Sequence, residues 1–513
     1  MKKGLSLLLA LVMMLSLAAC TGGSGESGEV ANNDPLTKDD VIEVATISHS
    51  SWPYRDDWKV WEYISEGCGA TVKVNAYPSA DVGTKYSLML ASPDTLPDII
   101  CYSSKPKDSY IFQGAFVAFE DMEEYMPNYN AWLETLTEDE YKNNVVIRKS
   151  YDGKIYYTPT IGREKAQGVR AWLYRKDVFE KNNLAVPTTF DELYNVCKEL
   201  KAIYPESYPY SIRSGFTALS MSGPSWQPYW EFGLYYDYTD DTWKYGAVED
   251  VMVEMIEFYK KMIDEKLMPA DFMTINNAAW QELITSDRGF IFPEYQTRID
   301  FFNGLARVKN PEFDLQAMIP PVAKADTGAP MMNKYNVDLA GMMMCNTRDE
   351  KRMANTAKYV DWFYTDEAME LVSWGKEGET FEYVDGKRKY ITDETAAQPN
   401  TLYGFSTYGV FTRMDPLAVE EYESADIAET RDMVLEHTVP YYNMINTLSF
   451  NEEEMAVRDE YLTAVGTYAN EMILKMILGQ EPISKFDEVK ETLNEMGLPE
   501  LLAVYKSAFD RVK

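Results

Sequence analysis

DGKIYYTPTIGREKAQGVRAWLYRKDVFEKNNLAVPTTFDEL, residues Asp152–Leu193, is the stretch whose reading decides the fold. It opens on a turn signal, Asp152-Gly153, and enters a β-type run with aromatic content, Ile155–Thr158. Pro159 and Gly162 then turn the chain. A second β-type run, Val169–Tyr174, leads into a short helical piece beginning near Asp177. Pro187-Thr188-Thr189-Phe190-Asp191-Glu192-Leu193 announces another helix. Thr189 suits the N-cap, and Glu192 three residues later suits the reciprocal bond to a free backbone donor. Strand, break, strand, helix and capped helix describe a chain crossing between two α/β lobes.

Upstream of it, strand signals at Val41–Ile47, Ala70–Ala76 and Leu96–Tyr102 alternate with helix signals at Trp58–Gly67 and Thr84–Ala91. That rhythm predicts a parallel sheet, whose ligands bind at the carboxyl ends of strands. Trp52, after the first strand, and Tyr102, at the end of the third, fall at such ends. Either also suits packing.

Downstream, Ser211–Asp241 reads as a long loop carrying Trp226, Tyr229, Trp230, Tyr235 and Tyr236. These aromatics keep neither a helical nor a strand period, so they are not all expected in a core. Glu249–Lys266 has apolar residues at the helical period, which makes its methionines core. Gly289–Phe292 reads as a buried strand ending in Pro293-Glu294-Tyr295-Gln296-Thr297-Arg298. An acid, an aromatic, an amide and a guanidinium at one strand end suit hydroxyl recognition, and equally a capped surface loop. Leu315–Pro321 and Leu339–Cys345 read as strands, and Arg348–Tyr364 and Asp366–Trp374 as helices. The C-terminal part is mostly helical, with Glu452–Leu478 and Ser484–Met496.

A chain of 513 residues exceeds one ordinary core, so two or more domains are expected. The formal charge of −33, from 82 acids against 49 bases, repels nucleic acid and anionic headgroups. Only two histidines, His49 and His437, occur, which disfavours a histidine metal centre or a hydrolytic triad. Nothing calls for a cofactor or metal. Cys68, Cys101, Cys197 and Cys345 have no CxxC spacing and are expected as single buried thiols, although two disulfides stay open.

Met1-Lys2-Lys3 followed by the apolar run Leu5–Leu17 reads as a secretory signal, too short to span a ~30 Å hydrocarbon core. It ends in Leu17-Ala18-Ala19-Cys20, the pattern of a bacterial lipoprotein whose cysteine is lipidated. Thr21–Asn33 is Gly- and Ser-rich and reads as a flexible spacer.

These pieces together resemble the extracellular solute-binding proteins of sugar ABC transporters, family 1 of the maltose-binding-like superfamily, in its large Gram-positive lipoprotein subgroup. The resemblance rests on SPDTLPDII (Ser92–Ile100), DGKIYYTP (Asp152–Pro159) and WLYRKDVFEKNNLAVPTTFDEL (Trp172–Leu193). It continues through YVDWFYTDEAMELVSWGKEG (Tyr359–Gly378), SFNEEE (Ser449–Glu454) and the helical run Tyr468–Leu498. The chain departs from the pattern at Asn182-Asn183-Leu184 and at Lys376, which the resemblance puts beside the cleft.

The resemblance implies an α/β, two-lobed periplasmic-binding-protein-like fold with a hinge and a helical C-terminal part. Residues 1–19 would be the signal and 20–39 the lipidated cysteine and linker. Residues 40–158 and 301–345 would form lobe one, and 159–300 and 346–513 lobe two. It implies a monomeric, non-enzymatic receptor on the outer face of the cell membrane, anchored through Cys20. That receptor would deliver a carbohydrate, expected as an oligosaccharide, to ABC permease subunits. The candidate ligand contacts are Trp52, Tyr102, Trp172, Trp226, Trp230, Glu294, Tyr295, Arg298, Trp374 and Glu377, with Trp172 also placed for a core role. A receptor for a peptide or other polar solute is the alternative. A surface glycoside hydrolase, requiring paired carboxylates ~5 to ~9.5 Å apart, is a weaker one.

Overall fold

In a computed structural model, the alternating signals of the first third become β1 (Val41–Ser48), α1 (Lys59–Cys68), β2 (Thr71–Pro78) and β3 (Ile99–Tyr102). The structure describes residues 34–49, 52–92, 95–103, 105, 107–162, 170–323, 332–335, 340–392, 399–410, 412–421, 423–441 and 448–511. The signal, Cys20 and the spacer to Asn33 lie outside them. Residues 36–513 form one compact unit, to which all the described strands and helices belong.

The middle of the chain supplies β4 (Arg170–Arg175), α2 (Phe190–Ile203), α3 (Val251–Asp264), β5 (Ile291–Tyr295), α4 (Arg298–Arg307), β6 (Leu315–Met318) and β7 (Gly341–Met344). The rest supplies α5 (Glu350–Trp362), α6 (Asp366–Ser373), α7 (Glu452–Ile477), α8 (Phe486–Glu495) and α9 (Leu498–Asp510). Two larger sheets result. One is four-stranded in the order β7-β3-β1-β2, with β2 and β3 parallel to β1 and β7 antiparallel to β3. The other is three-stranded, β5-β4-β6, with both edges antiparallel to β4.

Side-chain alternation along β1 explains why the first sheet is covered on both faces. Ile42 and Val44 pack with Trp61, Tyr63 and Ile64 of α1, whereas Ala45 and Ile47 pack with Tyr86 and Leu90. In the second sheet, Trp172 joins Phe190, Leu193, Met252 and Met255, while Ala171 and Leu173 join Phe292, Ile299 and Phe302. The C-terminal helices close the first of those clusters through Ile473 and Met476 of α7, Leu493 of α8 and Leu501 of α9.

Strand pairing corrects the expected division of the chain. Residues 301–345 do not all belong to lobe one: α4 and β6 build the second sheet, with Leu173 opposite Ala317. Only β7 returns, pairing Met343 with Ile100. Nor do residues 346–513 all belong to lobe two. Tyr359 and Val360 of α5, Phe363 just after it, and Val372 of α6 bury against Val44 and Ile99 of the first sheet, and Phe405, Val410 and Met414 follow them. Backbone pairing, not nearness in sequence, decides membership.

Two local expectations also shift. Ile155–Thr158 is not a strand; Thr158 instead donates its N–H to the Met342 carbonyl (2.9 Å) and accepts the Met342 N–H at Oγ1 (2.9 Å). Thr189 caps α2 by accepting the Glu192 N–H (3.2 Å), but the Glu192 carboxylate reaches Thr188 N and Oγ1, both at 2.7 Å. The cap is therefore spread over two threonines. Cys68, Cys101, Cys197 and Cys345 are buried free thiols.

Where the chain is about to leave the first lobe, at the Pro159–Gly162 break, it is bonded to segments that return to that lobe. Ile161 donates to the Thr412 carbonyl (2.8 Å) and accepts from Met414 N (3.0 Å), and the Tyr364 hydroxyl donates to the Pro159 carbonyl (3.0 Å). Gly162 has φ +96°, and a Cβ there would stand 2.0 Å from the Met414 carbonyl oxygen. A tie between the lobes comes from Lys105, which donates to Leu448 O and Ser449 Oγ, both at 2.6 Å, with Asp108 3.5 Å away. Burial lowers the Lys105 pKa to about 8, against the raising effect of Asp108.

Gly162→Ala should therefore lower the melting temperature more than Gly153→Ala does. Gly153 also has a left-handed φ (+81°) but would meet nothing within 4 Å. Both changes carry the conformational penalty, of about 1 kcal/mol, and only the first collides with backbone. Equal shifts in a thermal melt would show that the two segments do not approach so closely in solution.

Candidate functional site

The ends of the two sheets bring a compact set of polar and aromatic groups together. On the first lobe, β1 stops at Ser48, whose Oγ accepts the Tyr54 N–H (3.0 Å) and bends the following loop. His49 and Trp52 on that loop stack at 3.5 Å with their planes 16° apart, and Tyr408 lies 6.4 Å from the imidazole. Tyr408 is held there because Thr46 of β1 donates its hydroxyl to the Tyr408 carbonyl (2.6 Å).

On the second lobe, antiparallel register sets Arg170, at the start of β4, opposite Tyr295, at the end of β5. The Arg170 guanidinium lies 4.9 Å over the Tyr295 ring and donates to its hydroxyl (3.3 Å). Glu294 is buried; it forms an ion pair with Arg213 and accepts the Tyr295 N–H at Oε1 (3.0 Å). Arg213 in turn covers the face of Trp280 at 4.7 Å. Gln296 is 0% exposed, and neither its amide oxygen nor its amide nitrogen has a hydrogen-bond partner. Thr297 then begins α4 without a side-chain cap, and half-buried Arg298 is the helix's first residue.

Electrostatics link the two halves. Burial holds the Arg298 guanidinium below its ordinary pKa; Glu294 opposes this and Arg213 adds to it. Burial also depresses His49 to about 4, and the charge on Arg298 pushes in the same direction. A residue following β1 on the first lobe and a residue opening α4 on the second thus lie close enough for the charge of one to act on the other. At neutral pH His49 is an uncharged ring in this site.

Of the candidate residues, the structure brings together Trp52, Glu294, Tyr295 and Arg298. Tyr102 lies nearby at the end of β3, next to β1, with its ring 5.1 Å from Tyr86 and its buried hydroxyl without a partner. Trp226 is half-buried and packs on Phe190 (4.6 Å) and Phe258 (5.8 Å).

Three expected contacts are corrected to core. Trp172 and Trp230 are 0% exposed in the second lobe's main cluster, Trp172 stacking 5.8 Å from Tyr210. Tyr235 and Tyr236 are buried with them, in a hairpin pairing Leu234–Asp237 with Thr242–Tyr245. Trp374 is 2% exposed, stacks 4.9 Å from Tyr390 and donates to Asp415 Oδ2 (2.8 Å), so a hairpin covers it. Glu377 is exposed on a turn bridged to Phe381. Lys376 does not line the cleft; it pairs with Glu66 and lies 4.8 Å over the Tyr63 ring.

His49, Tyr408, Arg213 and Gln296 were not among the candidates. The strand-end argument that selects Trp52 applies equally to His49, and Gln296 stands inside the polar Pro293–Arg298 run. Tyr408 and Arg213 arrive by long-range pairing that no local signal announces. Among the described residues, no group of three or more His, Cys, Asp or Glu side chains is gathered to hold a metal ion.

The fold is shared with known proteins. A family model described as bacterial extracellular solute-binding protein matches residues 61–375. Lipoprotein LipO of Bacillus subtilis is 21% identical over 505 residues, 96% of each chain. Among solved structures, the alginate-binding protein AlgQ2, crystallised without calcium ion, superposes with a TM-score of 0.74 at 21% identity over 94% of this chain and 99% of that one. The S. pneumoniae ABC-transporter substrate-binding protein FusA, in complex with kestose, superposes with a TM-score of 0.70 at 19% identity over 92% and 99%.

Removing the charge at Arg298 should raise the pKa of His49 above about 4, towards the 6.5 of an unperturbed imidazole. Only two histidines occur, so NMR titration of Arg298→Gln resolves His49 against His437 alone. An unmoved His49 would mean that the two residues do not face one another in solution.

Proposed function

The chain belongs to the bacterial extracellular solute-binding protein family, and from that premise we propose that it is a lipid-anchored receptor delivering an oligosaccharide to an ABC importer. The observation that carries the reading is the opposed pair of surfaces: the Trp52–His49 stack on one lobe, and Tyr295, Glu294 and Arg298 on the other. An aromatic ring covers the apolar face of a sugar, while carboxylate, guanidinium and phenol exchange hydrogen bonds with its hydroxyls. No catalytic step is assigned to these residues; the protein acts by binding. Closing the lobes on a ligand touched from both sides shifts the population toward the closed form, which the permease would engage. The names of AlgQ2 and of the FusA complex, with alginate and kestose, support a carbohydrate.

The anchor rests on Leu17-Ala18-Ala19-Cys20 and on the lipoprotein relative. No helix among the described residues is long and apolar enough to cross a membrane. Cys20→Ala should move the protein from the membrane fraction to the medium; retention on the membrane would rule out this anchor.

A thermal-shift panel of oligosaccharides, peptides and amino acids tests the ligand class. Ligand at 100 times its Kd stabilises by about 2.7 kcal/mol, so an oligosaccharide should raise the melting temperature by several degrees. Trp52→Ala should abolish that rise. Stabilisation by peptides or amino acids alone would overturn the carbohydrate reading.

A further inference from the structure

Arg298 is the outlier in this cleft. Its neighbour Arg213 is matched by Glu294, and in the scaffold Arg175 is matched more completely still. Arg175 bonds Asp177 at 2.8 and 2.7 Å, Asp287 at 2.8 Å and the Ile284 carbonyl at 3.1 Å, and its guanidinium lies 3.8 Å over Phe313. Arg298 makes no ion pair and no hydrogen bond among the described residues; it lies 5.3 Å over the Phe301 ring. A chain with 82 acids against 49 bases has left this half-buried guanidinium without a carboxylate.

A further feature lies on the same turn. Gln296 is fully buried with both amide atoms unpartnered among the described residues, a costly state unless a ligand completes them. The helix that Arg298 opens, Arg298–Arg307, has no side-chain cap at Thr297, but its Ile299 N–H already donates to the Gln296 carbonyl (2.9 Å) and Asp300 puts a carboxylate in its first turn, so the positive end of its dipole is partly met within the chain. Planar guanidinium and amide N–H on this turn form a donor set for one planar anion.

We propose that the Gln296–Arg298 turn is a carboxylate subsite, and that the ligand is an acidic oligosaccharide carrying a uronic-acid carboxylate. This rests on the carbohydrate-receptor reading and narrows it. The carboxylate lies against Arg298, the Gln296 amide donates to it, and neutral His49 with Trp52 packs on the sugar from the other lobe.

The test measures Kd by titration calorimetry on the full-length protein, using oligogalacturonate, oligomannuronate and oligoglucuronate, each beside its neutral methyl ester. At least one acid should bind at least tenfold more tightly than its ester, with affinity falling as salt is raised. Arg298→Gln should erase that preference. Gln296→Leu should weaken the acid while leaving the unliganded melting temperature unchanged or higher, which a purely structural glutamine would not do. An ester binding as well as its acid, or a preference surviving Arg298→Gln, overturns the subsite. Binding of neutral oligosaccharides with no acid bound overturns it too and leaves the carbohydrate reading standing. Failure of every glycan, with a peptide or amino acid bound instead, sinks the underlying reading.

Discussion

At Ile161 two distant parts of the chain meet edge to edge, donating to Thr412 and accepting from Met414, and Gly162 leaves no room for a side chain between them. The rest of the cleft depends on this contact. It holds the outgoing connection, which leads to β4, beside a segment that must return late to the first lobe. Closing so long a loop costs entropy, but that cost grows only slowly with length, and the return is secured by burying Phe405, Val410 and Met414 against the first sheet. In the second sheet, Arg170, the first residue of β4, is paired opposite Tyr295 at the end of β5. Tyr408 rides on the same returning segment. The same returning segment thus supplies a side chain to the first-lobe wall.

Charge is distributed with a corresponding division of labour. A buried ion pair is costly to desolvate and stabilises only when its remaining hydrogen bonds are met. Arg175 meets them through Asp177, Asp287 and the Ile284 carbonyl, with Phe313 beneath its guanidinium, and is scaffold. Arg213 and Glu294 form an intermediate case, joined to one another, with the carboxylate also taking the Tyr295 N–H and the guanidinium covering Trp280. Arg298 is the incomplete case, and it lies where the two lobes feel one another through His49. The gradient from satisfied to unsatisfied guanidinium runs from core to cleft.

Much of this was legible in the residues. Period-two and period-3.6 patterns placed β1, β2, β3 and the helices α3, α5, α6 and α7 within a few residues, and they identified the methionines of α3 as core. The turn at Pro159–Gly162 was visible because proline and glycine restrict the backbone locally, whereas the strand expected at Ile155–Thr158 did not form. Lobe membership was not. β6 and β7 are short strands separated by a short stretch of sequence, and which sheet each joins is settled by edges that lie far away in the chain. The Thr188–Thr189 cap shows the same limit on a smaller scale: spacing located the helix start, and geometry chose which threonine took the carboxylate.

Aromatic and polar residues differed in how well the sequence exposed them, for a reason rooted in burial. A tryptophan gains from being covered wherever it lies, so the absence of a period around Trp230, or the position of Trp374 at a helix end, does not distinguish a cleft from a core. Both are buried, Trp230 with its indole nitrogen unpaired and Trp374 with its own bonded to Asp415. A carboxylate, an amide and a guanidinium crowded into one short run after a buried strand cannot all be buried without partners. Such a run must either be exposed, be paired internally or wait for something else. Pro293–Arg298 divides along those three outcomes: Tyr295 is exposed, Glu294 is paired with Arg213, and Gln296 and Arg298 are left over. The residues left over after that accounting are the ones whose chemistry is completed only from outside the chain.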